Sequence, residues 1–514
     1  MKLSPKVSPK EQPATDRRTG VSAVLWSSCM ATFAIGANGT AIMAALPTMR
    51  TDLALGPADV QWAVNAYLVV SAACIVLGGD ASDRLGARRV AMAGLVLFAT
   101  ASAIIALSTG AAMLLTGRAL QGLAAALAVP STLAALGTVI PPGRRAAAMA
   151  GWTGFLMLGF SIGPLFGGAV THLVGWRIIF WFNIAMMALA TAGMAAGADG
   201  TPTDRPDRRG VDWGGFLLLA VFMVALVFGL HGLPHIAAAP LAAAGPLALA
   251  ACSFAALLAL ERRVAAPLFV REFFSYRRFT TGVAAGSVSM FCIMALLLYF
   301  NLFAQSPDGL RETPLDAGAS LLPLSAMLLG VAMGAPAIAR RTGLRLAMTA
   351  AMALIVAGSF VIFLAVSGFG SAVLAAGFML MGAGLAMPYA SAPRLALSAL
   401  APEQAGKGSG IVNACTFLAG SVGVAGGAIA TELGGFPAVL AMLAAAGLAG
   451  LAISRLIPTE TLREQQKVEV GWVSYANPPI IRFTNHNQSM KPSARLRIAP
   501  SACQVSLRPL CKPG

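Results

Sequence analysis

The sequence predicts an all-α integral membrane protein with fourteen transmembrane helices, arranged as two six-helix halves plus two extra central helices. Three observations lead there. Of its 514 residues 57% are hydrophobic and only 11% charged, whereas soluble domains carry roughly 25% charged residues. Apolar runs long enough to cross a bilayer, about 20 residues each, recur along nearly the whole chain. Glycines in matching segments repeat at a near-constant offset. Gly117 and Gly122 correspond to Gly377 and Gly382, and Gly163 and Gly167 to Gly423 and Gly427, both at 260 residues; Gly86 corresponds to Gly343 at 257.

Taken in order, the apolar runs place spans near 22–47, 60–79, 90–109, 112–139, 147–171 and 178–197 in the first half, and 213–232 and 240–260 in the extra pair. The second half has 279–303, 317–338, 346–366, 369–393, 408–431 and 436–456. The expected organisation is an N-terminal tail 1–21, a first half 22–197, a charged linker 198–212, the extra pair 213–260, a loop 261–278, a second half 279–457 and a tail 458–514. That tail is basic, irregular and rich in proline, and is expected to be disordered. Parallel halves with a midplane site between them are a recurring transporter plan.

Basic residues orient this arrangement. With both termini on one side, 32 of the 36 Lys and Arg residues fall in the tails and loops of that side. Arg50, Arg177 and Arg311 fall on the other, and Arg118 alone lies in a span. Such asymmetry marks the cytoplasmic face, so both termini are expected in the cytoplasm, in a cell inner membrane. The same distribution assigns the net charge of +16 to topology rather than to nucleic acid. Seven cysteines at 29, 74, 252, 292, 415, 503 and 511 show no metal-type spacing, and no disulfide framework is read from them. The first apolar run follows a basic tail but is about 25 residues long and lacks a clear A-x-A site, so it is read as a retained span.

The densest chemistry lies between Ala112 and Gly168. Arg118, in LLTGRALQGLAAAL, costs at least ~2.5–3.5 kcal/mol to insert and needs a partner or a wet cavity. It either snorkels towards the nearer surface or faces a cavity, coupled to the movement of substrate or protons; the second reading is favoured. In the next span, GFSIGPLFGG, Gly159, Gly163, Gly167 and Gly168 allow close helix approach, and Pro164 bends the helix. The loop GDASDRLGARR offers Gly79, Asp83, Arg84, Gly86, Arg88 and Arg89. Asp83 can accept from arginines and from a helix N-terminus, and Gly86 permits a tight turn. This loop is expected to latch the two halves in one state. The second-half copy, with Arg340 in place of Asp83, lacks that acid, and Phe378 and Met381 replace Arg118 and Gln121.

These segments resemble the major facilitator superfamily, specifically its fourteen-span drug:proton antiporter branch. GDASDRLGARR is similar to the family's loop signature between spans 2 and 3, LLTGRALQG to its fourth-span arginine motif, and GFSIGPLFGG to its fifth-span antiporter motif. ALPTM at 45–49 and GWRIIFWFN at 175–183 are further family-like pieces. The resemblance covers roughly residues 20–457. It implies the major facilitator fold and alternating access by rocking of two halves, usually driven by a proton gradient. It assigns coupling to Arg118 and Gln121.

One departure bears on substrate. Drug:proton relatives commonly carry an aspartate about nine residues before the first-span proline, and here that position is Asn38. An amide cannot cycle a proton, and none of the 20 acidic residues sits clearly in mid-span. A neutral or anionic amphiphile is therefore favoured over a cationic drug. Candidate cavity residues are Asn38, Asn65, Tyr67, Tyr299, Asn301, Tyr389, Asn413 and Phe417, a set suited to a flat hydrogen-bonding molecule. Trp176, Trp181 and Phe182 read as interface anchors. His231 and His235 have no third ligand near, and Pro234 lies between them, so no metal site is expected.

The expected function is secondary active transport of small amphiphilic organic molecules, as proton-coupled efflux of drugs or metabolites. The alternative is import of a neutral or anionic vitamin-like compound, for instance a flavin, on the same fold. GKGSG at 406–410 lacks the spacing and hydroxyl of a phosphate loop, which disfavours a primary pump. Four histidines and no mid-span carboxylate give no convergent set for an enzyme. A channel would need a ring of like groups, which two pseudo-equivalent halves do not supply. Expected partners are the substrate, protons and the lipid bilayer; the protein is expected to be a monomer with no cofactor.

Overall fold

A bilayer core offers no water to backbone groups, so each N–H and C=O must be satisfied within the chain, and helices do this span by span. The computed structural model describes residues 14–197, 212–233, 239–264, 270–401 and 404–458, and no strand occurs among them. The first half contains α1 (Ala14–Asp52), α2 (Pro57–Leu85), α3 (Ala87–Ala106), α4 (Ala111–Val139), α5 (Pro142–Leu173) and α6 (Arg177–Ala196). The extra pair is α7 (Trp213–Gly232) and α8 (Pro240–Glu261). The second half contains α9 (Arg277–Ala304), α10 (Pro314–Ser320), α11 (Leu322–Thr342), α12 (Leu344–Leu364), α13 (Ser371–Leu397) and α14 (Ala405–Ser454).

Thirteen helices among the described residues are long and apolar enough to cross a membrane. The fourteenth span lies inside α14, which runs for 50 residues. A straight helix of that length would extend about 75 Å, more than twice the ~30 Å hydrocarbon core. Its backbone breaks at Gly434 (φ −169°, ψ 27°) and Gly435 (φ 65°, ψ −156°), the second a conformation open to glycine but not to a side chain. The two limbs, 405–433 and 436–454, restore the expected fourteen spans.

Three boundaries differ from expectation. Helix α1 begins at Ala14, inside the segment read as a tail ending at 21. The tenth span, expected as one piece over 317–338, is divided at Leu321 into α10 and α11. Pro314 and Pro323 each open one of these helices, as proline does at a helix start. Helix α9 begins at Arg277, inside the loop expected through 278, and the described residues of that loop include a short 3₁₀ turn, Arg271–Ser275. Most of the linker and nearly all of the tail from 458 lie outside the described residues.

The repeat is expressed in packing. Within the first half α1 packs on α5, α2 and α3 on α4, and α3 on α6. Within the second, α9 packs on the first limb of α14, α11 and α12 on α13, and α12 on α14. Gly86 and Gly343 join equivalent helices with the same left-handed backbone, φ 93° and φ 81°. The extra pair lies against the seam between the halves. Leu219, Met223 and Val227 of α7 share a buried cluster with Val69 and Ala73 of α2 and Ala414 of α14. Trp62 of α2 lies against Phe228 and His231 of α7, with ring centroids 4.2 and 5.4 Å away. The Nδ1 of His231 is bonded to Val227 O at 2.8 Å; His235 lies outside the described residues.

Below, the end of the bundle bearing Asp52, Arg177 and Pro314 is called upper, and the end bearing the 79–89 loop lower.

Candidate functional site

Arg118 on α4 is completely buried, which excludes snorkelling and corrects the expectation that it faces a cavity. Its Nε donates to Ala63 O of α2 at 2.6 Å, and its Nη1 to Gln121 Oε1 at 2.8 Å, one turn along α4. The guanidinium lies over the ring of Tyr67, 4.7 Å from its centroid. Hydrogen bonds to a charged group contribute about 1.5–3 kcal/mol each, and a desolvated cation–π contact about 2 kcal/mol. Together they offset the ~2.5–3.5 kcal/mol insertion penalty without a carboxylate.

Gln121 carries the network onward. Its Nε2 donates to Ser102 Oγ of α3 at 2.9 Å, and its Oε1 also accepts from Asn38 Nδ2 of α1 at 3.4 Å. Asn38 Oδ1 accepts from Asn183 Nδ2 of α6 at 2.8 Å. All five residues are buried. Asn38 does lie in the layer of Arg118, as helix rise requires, but it reaches the guanidinium only through Gln121. Asn183 escaped the sequence reading although it closes the quoted segment GWRIIFWFN and is a lone amide in its span.

The fifth-span motif separates into two faces. Added methyl groups on Gly159, Gly163 and Gly167 would strike Phe33, Ala37 and Ala41 of α1, so these three let α1 and α5 touch within the first half. Gly168 faces elsewhere: a methyl there would strike Pro314 O of α10, and one on Gly318 would come within 2.7 Å of Pro164 O. At 100° per residue, Gly143, Gly154 and Gly168 fall within about 40° of one another, on the side of α5 opposite the α1 contact. Yet nothing lies within 4 Å of a methyl placed on Gly143, Gly151 or Gly154. Among the described residues, one face of α5 therefore meets the second half at its upper end and is open around its glycines at its lower end, with Pro164 between them.

Other bonds cross between the halves. Gln305, just after α9, donates to Ala44 O of α1 at 3.0 Å, near the upper end. At mid-depth Ser421 donates to Asn65 Oδ1 at 2.8 Å, and Phe160 of α5 approaches Tyr389 of α13 at 6.2 Å between centroids. The Nδ2 of Asn65 is buried without a hydrogen-bond partner.

The remaining sequence candidates sort by exposure. Tyr299 and Asn301 are buried and serve packing: Tyr299 donates to Val424 O at 2.7 Å and its ring fills the notch at Gly427, while Asn301 donates to Leu297 O at 2.7 Å. Tyr67 is buried under Arg118. Tyr389, Asn413 and Phe417 keep partial exposure, with Asn413 donating to Ser409 O at 2.9 Å. Trp176 is no interface anchor: it is 1% exposed and donates to Asp52 Oδ2 at 2.9 Å. Asp52 also pairs with Arg177 at 3.4 Å. Phe182 packs on Phe166, and Trp181 alone of the three is exposed.

At the lower end, Arg84 pairs with Asp80 one turn earlier at 2.8 Å. Arg88 donates to Met194 O at 2.8 Å and to Ala195 O, capping the last carbonyls of α6, where a cation is favoured. These bonds of Arg84 and Arg88 lie within the first half. Asp83 and Arg89 are exposed, and Gly79 is half-buried.

A profile of the major facilitator superfamily matches residues 28–424. The chain belongs to the major facilitator superfamily. It is thus a multi-pass membrane protein and a secondary transporter of small molecules, not an enzyme. Over 417 residues, 80% of this chain and 76% of the relative, it is 29% identical to the tetracenomycin C resistance and export protein of Streptomyces glaucescens. Identity to the multidrug resistance protein Stp of Mycobacterium tuberculosis is 28% over 76% of this chain and 72% of the relative. It is 29% identical to the cephamycin export protein CmcT of Amycolatopsis lactamdurans, over 86% and 92%. The human organic anion transporter MFSD10 superposes with a TM-score of 0.58 at 18% identity, covering 86% of this chain and all of that one; it shows the same fold. The fourteen spans agree with the superfamily branch expected from the motifs.

Proposed function

We propose that this major facilitator protein exports small amphiphilic organic molecules across the cytoplasmic membrane by alternating access, driven by proton flow in the opposite direction, and that it works as a monomer. The observation that carries the reading is the divided face of α5, joined to the second half above Pro164 and, among the described residues, open at Gly143 and Gly154 below it. Halves that rock about the mid-depth contacts exchange which end of that face is covered. The relatives named for resistance to or export of tetracenomycin C and cephamycin support the outward direction. The bias of Lys and Arg supports a cytoplasmic lower end, with both termini on that side.

In this cycle substrate enters from the cytoplasmic end and meets residues of both halves near Phe160 and Tyr389. No described Asp or Glu lies in mid-span, and Arg118 stands behind Tyr67 with only neutral partners, so the site favours neutral or anionic amphiphiles. The 79–89 loop contributes by holding the lower ends together when the lower side closes. Asp83→Asn should slow transport while leaving the amount of folded protein in the membrane unchanged; wild-type transport by that variant would reduce the loop to a topology signal.

The test of the whole reading is substrate flux in cells with and without the protein. Tetracenomycin C should accumulate less in expressing cells, and a protonophore should abolish the difference. Greater accumulation of a compound in expressing cells would replace export by import, and efflux indifferent to the protonophore would remove proton coupling.

A further inference from the structure

The connection that carries upper-end contacts between the halves also holds one incompletely satisfied carboxyl group. Glu312 lies in the connection between α9 and α10, outside the spans, and its N–H donates to Ala304 O at 2.8 Å, closing that connection on itself. Two residues on, Pro314 starts α10, whose Pro314 and Gly318 interlock with Gly168 and Pro164 of α5. Seven residues earlier, Gln305 binds Ala44 O of α1. Glu312 is therefore held within the short segment that carries two of the contacts between the halves.

Its carboxyl group is incompletely satisfied. Oε1 accepts from Ser320 Oγ at 3.2 Å, while Oε2 is buried with no hydrogen-bond partner. A buried carboxylate oxygen without a donor favours the neutral acid, which loses less on leaving water. Burial accordingly raises the Glu312 pKa; Ser320 opposes the rise and the charge of Asp316 adds to it. Asp316 itself accepts from Thr313 Oγ1 at 2.7 Å. The other charged groups at this end are engaged elsewhere or face outward. Arg311 donates to Pro307 O at 2.7 Å, Arg177 pairs with Asp52, and Arg50, His172 and Asp308 are exposed. None of these groups donates to Oε2.

We propose that Glu312 is a proton-binding site of the transport cycle, sealed with its proton when the upper ends close and ionised when they part. It rests on the proton-coupled reading above and locates a proton where the first span offers only Asn38. The sign follows from linkage: a group whose pKa is higher in the sealed state stabilises that state fully below its open-state pKa, and that stabilisation is lost as pH rises through the sealed-state value. Acid on the upper side thus closes the upper ends, and neutral pH releases them.

The experiment uses the full chain in lipid nanodiscs with spin labels at Val174→Cys and Leu310→Cys, both exposed upper-end positions, in a Cys252→Ala, Cys503→Ala, Cys511→Ala background. Label separation is measured from pH 4.5 to 8. With Glu312 native, the long-distance population should grow at least about threefold, with a midpoint above the ~4.3 of a free glutamate. Glu312→Gln, nearly isosteric, should keep the short distance throughout, and Glu312→Asp should retain a response with a displaced midpoint. A Glu312→Gln protein that titrates like the parent, or a parent that does not respond to pH, overturns the proposal. Protonophore sensitivity of efflux is measured separately on the same protein, so a titrating gate with protonophore-insensitive efflux would remove proton coupling and leave the site standing.

Discussion

The two halves place the same helices around different chemistry. In the first, Arg118 and Gln121 on α4 bind Ala63, Ser102 and Asn38 beneath the Tyr67 ring. In the second, the matching residues of α13 are Phe378 and Met381, both fully buried, and Phe378 meets Phe300 edge-on at 4.8 Å. The glycines that set helix approach are kept on both sides: Gly122 lies against Tyr67 O and Gly382 against Leu324 O. Close packing thus needs small residues and filled volume, and hydrophobic side chains supply the volume without a charge. The second half thus reaches the same packing without the polar network of the first, and a role for that network in transport is the reading the following substitutions test. The fifth span tells the same story, because Pro164 and Gly168 have Val424 and Ala428 as counterparts.

The sharpest way to break this comparison is to give the first half the second half's solution. Arg118→Phe combined with Gln121→Met should leave a folded, membrane-inserted protein whose transport falls by about 100-fold, equivalent to about 3 kcal/mol of lost stabilisation. A protein that no longer folds would show the network to be structural after all; monodispersity in detergent decides between the two. Arg118→Lys should recover little, since a point charge cannot replace a planar fork.

Next in size is Gly168→Val. Its side chain meets Pro314 O, so the upper ends cannot close and efflux should fall by about tenfold or more. Gly154→Val, on the same face but with nothing within 4 Å, should transport at a rate near that of the parent. Equal effects of the two substitutions would dismiss the divided face as a moving surface.

Asn38→Asp should act on selectivity rather than rate. It places a carboxylate between Asn183 and Gln121, one residue removed from Arg118. The ratio of ethidium to anionic-dye efflux should rise by about tenfold, the equivalent of one paired charge worth about 1.4 kcal/mol. An unchanged ratio would detach charge preference from this layer. The smallest effect is expected from Ser421→Ala, which removes one neutral cross-half hydrogen bond worth about 0.5–1.5 kcal/mol. Efflux should change by no more than about threefold, and a complete loss would make that bond a hinge.

Much of this was legible without coordinates, because a bilayer imposes local rules. Span number and the internal repeat follow from apolar length and glycine offsets, each a property of a few neighbouring residues, and the basic loops supply the proposed orientation in the same local way. The break that divides α14 was visible as Gly434–Gly435 in the gap between two apolar runs. By itself, then, the sequence determined the fold class, the two halves with their extra pair, and the identity of Arg118 as the charge to be accommodated. Only the tertiary structure decided how. Whether Arg118 would snorkel, face a cavity or be enclosed depended on which carbonyl, amide and ring three other helices brought to it. Likewise, nothing in GFSIGPLFGG separates Gly168 from Gly167; they differ by 100° around α5, and that rotation sends one against α1 and the other against the opposite half. Such choices rest on contacts between residues far apart in the chain, where no local spacing carries a signal.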